Sequence, residues 1–171
     1  MRIAWSMLLS VLIAGWSLDA KTLLIDDFSV GSTNITANSG TTSVQDVESV
    51  AGVLGGEREV TVVWNGPAGN TGDLNGRIAG DSYQHGQGPA VRGQSYLVYD
   101  GSGDANNDPI DIAATGLGGI DLTADGAFAF ALDLLFADLT GSNALKILVY
   151  TDENNYSELS RVISAAAPPA V

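Results

Sequence analysis

Apolar and polar positions alternate most regularly over residues 127–136. Phe128, Phe130, Leu132, Leu134 and Phe136 fall on one side of an extended chain; Ala127, Ala129, Ala131, Asp133 and Leu135 fall on the other. Side chains on a strand repeat every two residues, so this pattern predicts a strand with its phenylalanines in the core. Residues 145–151 repeat it, with Leu145, Ile147 and Val149 inward. Further strands are expected over residues 23–28, 59–64, 95–100 and 156–163, with a short one at 110–113. In the third of these Tyr96 and Val98 share one face, and Leu97 and Tyr99 the other.

One segment carries two periods. Val44, Val47, Ala51 and Leu54 are spaced like a helix face, with Ser43 as its cap and Gly55 as its end. The same residues also suit an irregular strand running into a Gly55-Gly56 turn, which is the reading favoured here. Asn75-Gly76 reads as a tight turn. Asn65-Gly66 is a poorer one, because Pro67 follows and lacks the ladder donor.

Short strands at roughly ten-residue spacing, without the helices of a parallel sheet, predict an all-β fold. The specific expectation is an antiparallel β-sandwich, jelly-roll-like. Loops at residues 66–88 and 101–108 would lie at its ends, where binding residues concentrate. Twenty-one glycines in 171 residues, well above the usual ~7%, fit many turns.

The first twenty residues follow a different pattern. Arg2 precedes an almost wholly apolar run over residues 3–15, and small residues follow near Ser17 and Ala20. This is the pattern of a secretory signal peptide, and the run is short against the roughly 20 residues of a spanning helix. The expected organisation is a signal peptide at 1–20, a β-sandwich domain at 21–164 and a small-residue, Pro-containing stretch at 165–171 read as a disordered tail or linker remnant. The protein is expected in the extracellular space or cell envelope, with no transmembrane segment after cleavage.

Charge narrows the partners. The chain carries 20 acidic against 7 basic residues, a net charge of −13. Removing residues 1–20 takes away Arg2 and Asp19 and leaves that balance unchanged. Scattered cations on so acidic a chain argue against nucleic acid, which needs clustered Lys and Arg. There is no cysteine, hence no disulfide and no thiolate metal site.

Three groups of residues carry a resemblance. They are Leu24-Ile-Asp-Asp-Phe28, then Val53-Leu-Gly-Gly-Glu-Arg-Glu-Val60, then Tyr99-Asp-Gly101 with Gly116-Leu-Gly-Gly-Ile-Asp-Leu-Thr123. Together they resemble exported bacterial β-sandwich proteins of the PEP-CTERM sorting-signal type. The resemblance covers the passenger region, residues 23–152, and implies location and architecture more than chemistry. The sorting tail itself is not matched: Pro168-Pro169 is followed only by Ala170-Val171. The chain is either a natural variant without that tail or a fragment truncated at its C-terminus.

Candidate chemistry is sparse. Asp104, Asn106 and Asp108 place oxygen side chains at alternate loop positions, as in the first half of a calcium loop, and Asp100 and Asp111 would add charge. Pro109 stands where that loop needs Gly, and Thr115 where it needs Glu. Calcium is therefore a candidate cofactor on half a motif, against an ordinary Asx-rich turn. His85, the single histidine, lies in a polar Gly-rich stretch and is a base only if a partner reaches it. Trp64 and Tyr83 are candidate stacking residues for sugar rings, against core packing as the plainer alternative. Acidic residues on strands, such as Asp133 and Glu59, are expected on solvated faces. No Gly-x-Ser-x-Gly elbow occurs, and Gly116-Leu-Gly-Gly119 lacks dinucleotide spacing and reads as a turn.

The function expected from this is a secreted or envelope-associated, non-catalytic β-sandwich protein that binds extracellular glycan or matrix material. The alternatives are a secreted glycan-active hydrolase or lyase, and a purely structural surface or matrix component.

Overall fold

Glu57–Trp64 is the strand on which the rest of the fold is built. Val60, Val62 and Trp64 alternate on one side of it, and all three are buried. Its other side carries Glu59 and Thr61, at 2% and 1% exposure, so this central strand is covered on both faces. The computed structural model describes residues 22–102, 112–123, 127, 129–133, 135 and 143–163.

The described elements are β1 (Asn34–Ala37), β2 (Ser43–Ser49), a short 3-10 turn (Leu54–Gly56), β3 (Glu57–Trp64), β4 (Leu74–Ile78), β5 (Tyr83–Gln87), β6 (Gly93–Val98), β7 (Asn143–Asp152) and β8 (Asn155–Ile163). Every strand pair is antiparallel. One sheet runs β1-β4-β5, a second runs β2-β3-β6, and β7-β8 form a two-stranded hairpin. The described structure is thus all-β.

The core lies between the two three-stranded sheets. β1 and β4 give Ile35, Ala37, Leu74 and Ile78; β3 gives Val60, Val62 and Trp64; Val91 closes one end. Phe28, Val44, Tyr83 and Leu97 pack around it half-buried. Each such aliphatic side chain contributes about 1.5–3 kcal/mol by leaving water. Two glycines make the close approach possible. A Cβ on Gly76 would stand 2.8 Å from Val62 and 2.9 Å from the Tyr83 hydroxyl, and one on Gly93 would collide with Leu74.

The strands expected at 59–64, 95–100, 145–151 and 156–163 are present, with ends shifted by a few residues. Leu145, Ile147 and Val149 lie half-buried on one face of the hairpin, and Ala144, Lys146 and Leu148 are exposed on the other. The two-period segment resolves as strand β2 followed by the 3-10 turn at Leu54–Gly56.

Other expectations are corrected. Residues 23–28 are not in a strand; they are tied instead by Leu54 N–H donating to the Ile25 carbonyl at 2.8 Å. Asn75-Gly76 is no turn, because it sits inside β4, where glycine is needed for the space it leaves. The stretch 66–88 is not one loop, since it contains β4 and β5. The described residues of 127–136 form no strand, and Phe130, Leu132 and Leu135 are 43%, 58% and 65% exposed. Alternation supplies a face but not a neighbouring ladder, and without one a strand does not form. Phe128, Leu134 and Phe136 lie outside the described residues, as do 110 and 111 of the short strand expected at 110–113; its remaining residues, Ile112 and Ala113, are not in a strand.

Candidate functional site

The outward side of β1-β4-β5 is a small polar grid. In β1 and β4 inward residues are apolar or glycine, and alternation turns the residues between them outward. The pairing sets Asn34 beside Arg77 and Arg77 beside Gln84, with Thr36 beside Asn75 and Asn75 beside Gly86. Asn34, Asn75, Arg77, Gln84, His85 and Gly86 line a shallow depression of about 390 Å³.

Hydrogen bonds orient part of this grid. Thr36 Oγ1 donates to Asn75 Oδ1 at 2.8 Å. That bond occupies the amide oxygen and leaves the nitrogen directed over Gly86, about 4.0 Å from where a Cβ would stand. Gln84 Nε2 donates to the Ala79 carbonyl at 3.3 Å, at the turn joining β4 to β5. The Arg77 side chain is exposed and forms no ion pair or hydrogen bond among the described residues.

Tyr83 and His85 come together, but on the inward side of β5. Tyr83 is half-buried, its ring centroid 6.4 Å from that of Phe28. Burial pushes its phenol above the usual tyrosine range, and Ser95 opposes the shift. The His85 ring crosses to the other sheet, where Nδ1 meets Ser95 Oγ on β6. Gln87 Nε2 stands 2.7 Å from His85 Nε2. With the Gln87 nitrogen donating, the ring proton sits on Nδ1, which donates to Ser95. Desolvation holds His85 below the ordinary histidine pKa. Both ring nitrogens are engaged; the residue is exposed at the sheet edge, where it also borders the depression.

Trp64 is not beside them as a platform. It is 8% exposed in the core, and its indole N–H donates to the Gly72 carbonyl at 3.1 Å. As the last inward residue of β3 it follows Val60 and Val62 into the interior. Glu59, expected on a solvated face, is buried, and Gln45 Nε2 donates to its Oε2 at 3.1 Å. Asp133 is exposed, as expected. Asp104, Asn106, Asp108 and Asp111 lie outside the described residues. Asp100 has both oxygens occupied: Oδ1 accepts from Ser102 N–H at 3.0 Å and Oδ2 from Ala113 N–H at 2.7 Å. Its carboxylate therefore ties Ser102 to Ala113. Gly116 N–H and Gly118 N–H bond back to Ala113 and Thr115, so the Gly-rich run is a turn.

A second cluster is internal. Arg58 Nη1 donates to Asp26 Oδ2 at 2.7 Å, and Nη2 donates to Glu48 Oε2 at 2.9 Å and the Val30 carbonyl at 2.8 Å. Tyr99 O–H donates to the same Asp26 oxygen at 2.8 Å, and the guanidinium lies 5.7 Å from the centre of the Phe28 ring. Burial opposes the Arg58 charge, but the two carboxylates outweigh it and raise its pKa. Glu48 is likewise held below the usual glutamate range: burial acts against this, and Ser32 N–H and Arg58 override it. Tyr99 is kept protonated by burial and by Asp26. Arg58 has no exposed side-chain surface, so this cluster fastens the fold.

The sequence reading missed the Arg77 grid. Its signal was present in two short polar–apolar alternations, Asn34-Ile-Thr-Ala37 and Leu74-Asn-Gly-Arg-Ile78. No known protein family, curated protein or solved structure matches this chain.

Proposed function

We propose that the protein is a non-catalytic, secreted or envelope-associated binding protein, whose two three-stranded sheets are the layers of a small antiparallel sandwich of jelly-roll type. Its binding surface is the outward face of β1-β4-β5, and the material bound is extracellular glycan or matrix polysaccharide. The observation that carries this reading is the grid of Asn34, Thr36, Asn75, Arg77 and Gln84 around a shallow open depression. Amide and guanidinium groups held on paired strands match the spaced hydroxyls of a sugar chain, and an open cleft admits a polymer that a closed pocket excludes. The apolar leader pattern and the resemblance to exported proteins support the location.

The geometry favours binding over turnover. His85, the candidate base, faces the opposite side of its strand from Arg77 and is bonded at both nitrogens. The outward grid itself holds donors and amides and no carboxylate. A glycan array probed with the secreted chain tests the proposal. Binding that is lost on Asn75→Ala with Arg77→Gln, at unchanged melting temperature, supports it. Absence of binding to any polysaccharide leaves a structural role.

A further inference from the structure

The grid is richer in donors than a neutral sugar requires. Guanidinium has five N–H donors and no acceptor. The Asn75 amide oxygen accepts from Thr36, which orients the amide so that its N–H groups face away from Thr36 toward Gly86. Arg77 and Asn75 are two residues apart on one strand and share a face. Gly86 beside Asn75 keeps the floor open. The outward side chains within β1, β4 and β5 include no acid, the exposed Asp73 and Asp81 lying just beyond the two ends of β4, and Arg77 forms no ion pair among the described residues.

We propose that Arg77 and the Asn75 amide nitrogen bind an anionic group, a carboxylate or a sulfate, borne by the polysaccharide. This rests on the glycan-binding reading above and specifies its ligand class. A planar guanidinium takes either oxyanion through two parallel N–H···O bonds. The Gln84 and Asn34 amides, beside Arg77 in register, serve the neighbouring hydroxyls. Thr36 is a positioning residue, because it sets which end of the Asn75 amide faces the ligand. The net charge of −13 does not forbid the contact. At physiological salt the field of distant carboxylates is screened beyond about 8 Å, whereas a contact pair is screened far less. One cation does suit an isolated anion on a sugar and not the dense phosphates of nucleic acid, which need several.

The test is titration calorimetry of the secreted chain with three polymers, polygalacturonate, dextran sulfate and neutral dextran, in the presence of EDTA. The expected result is binding to at least one of the two polyanions and none to dextran; the two acidic arms distinguish carboxylate from sulfate. Arg77→Gln is expected to weaken that binding by roughly tenfold or more. Thr36→Val is expected to weaken it without changing the melting temperature. Equal binding of dextran and the polyanions, or polyanion binding unaffected by Arg77→Gln, overturns the inference while leaving glycan binding standing. Absence of binding to all three, and to every glycan of the array, overturns the glycan reading itself.

Discussion

The Arg58 guanidinium and the Asp26 carboxylate meet at 2.7 Å in the interior, although 32 residues separate them in the chain. The pair joins the segment before β1 to the middle of the second sheet. Glu48 and Tyr99 complete it, so that one buried cluster draws on β2, β3 and both chain segments flanking the sheet. Asp26, Arg58 and Tyr99 come from three segments far apart in the chain, and the fold brings the three side chains to one place.

Removing one partner strands the other charge where water cannot reach it. Arg58→Met is therefore expected to destabilise the protein by about 3–5 kcal/mol, and Asp26→Ala by a similar amount. Urea unfolding followed by Trp64 fluorescence measures both. A loss under about 1 kcal/mol for either would show that the pair is not buried as described.

Gly31 and Gly52 form a matched comparison. Both adopt positive φ, 104° and 97°. An alanine at either is strained, but a Cβ on Gly31 would also collide with the Arg58 and Glu48 side chains, whereas Gly52 has open space. Gly31→Ala is expected to cost clearly more than Gly52→Ala, which should stay near the roughly 1–2 kcal/mol of backbone strain alone. Thermal melts of the two variants decide it.

Truncation separates the true core from the apparent one. Leu74→Ala should cost about 2–5 kcal/mol, since Leu74 is fully buried between the sheets. Leu132→Ala, at a residue 58% exposed, should change stability by about 0.5 kcal/mol or less. The reverse order would return the core to residues 127–136.

Stability should fall with acid in two stages. His85 has a lowered pKa in the fold, so the unfolded chain takes up its proton first. Its contribution is present above about 6.5 and declines as pH drops below that value. Glu48 is also lowered, and its contribution, present above its ordinary range near 4.5, is lost as pH falls through the depressed value. Urea midpoints between pH 8 and 3 should show both steps, and His85→Gln should remove only the first.

Much of the secondary structure was legible where one strand carried its own pattern. Glu57–Trp64, Gly93–Val98 and the β7-β8 hairpin are rich in β-branched and aromatic residues, and local propensity agrees with the fold. β4 and β5 were hidden because amides and glycines fill them. Their glycines are explained only by contacts from the other sheet, such as Val62 against Gly76. The candidate site was less legible still, since Arg77, Asn75 and Thr36 become neighbours only through strand pairing.

By itself the chain determined that its backbone would be largely extended, that it would turn often, and that its charge would be strongly negative. These follow from local sterics and composition, which each short segment carries within itself. Tertiary structure alone decided which alternating stretch among the described residues became the core, which face of β5 His85 took, and which polar residues Arg77 stands beside. Burial and pairing depend on what lies opposite a residue, and what lies opposite is set by segments remote in sequence.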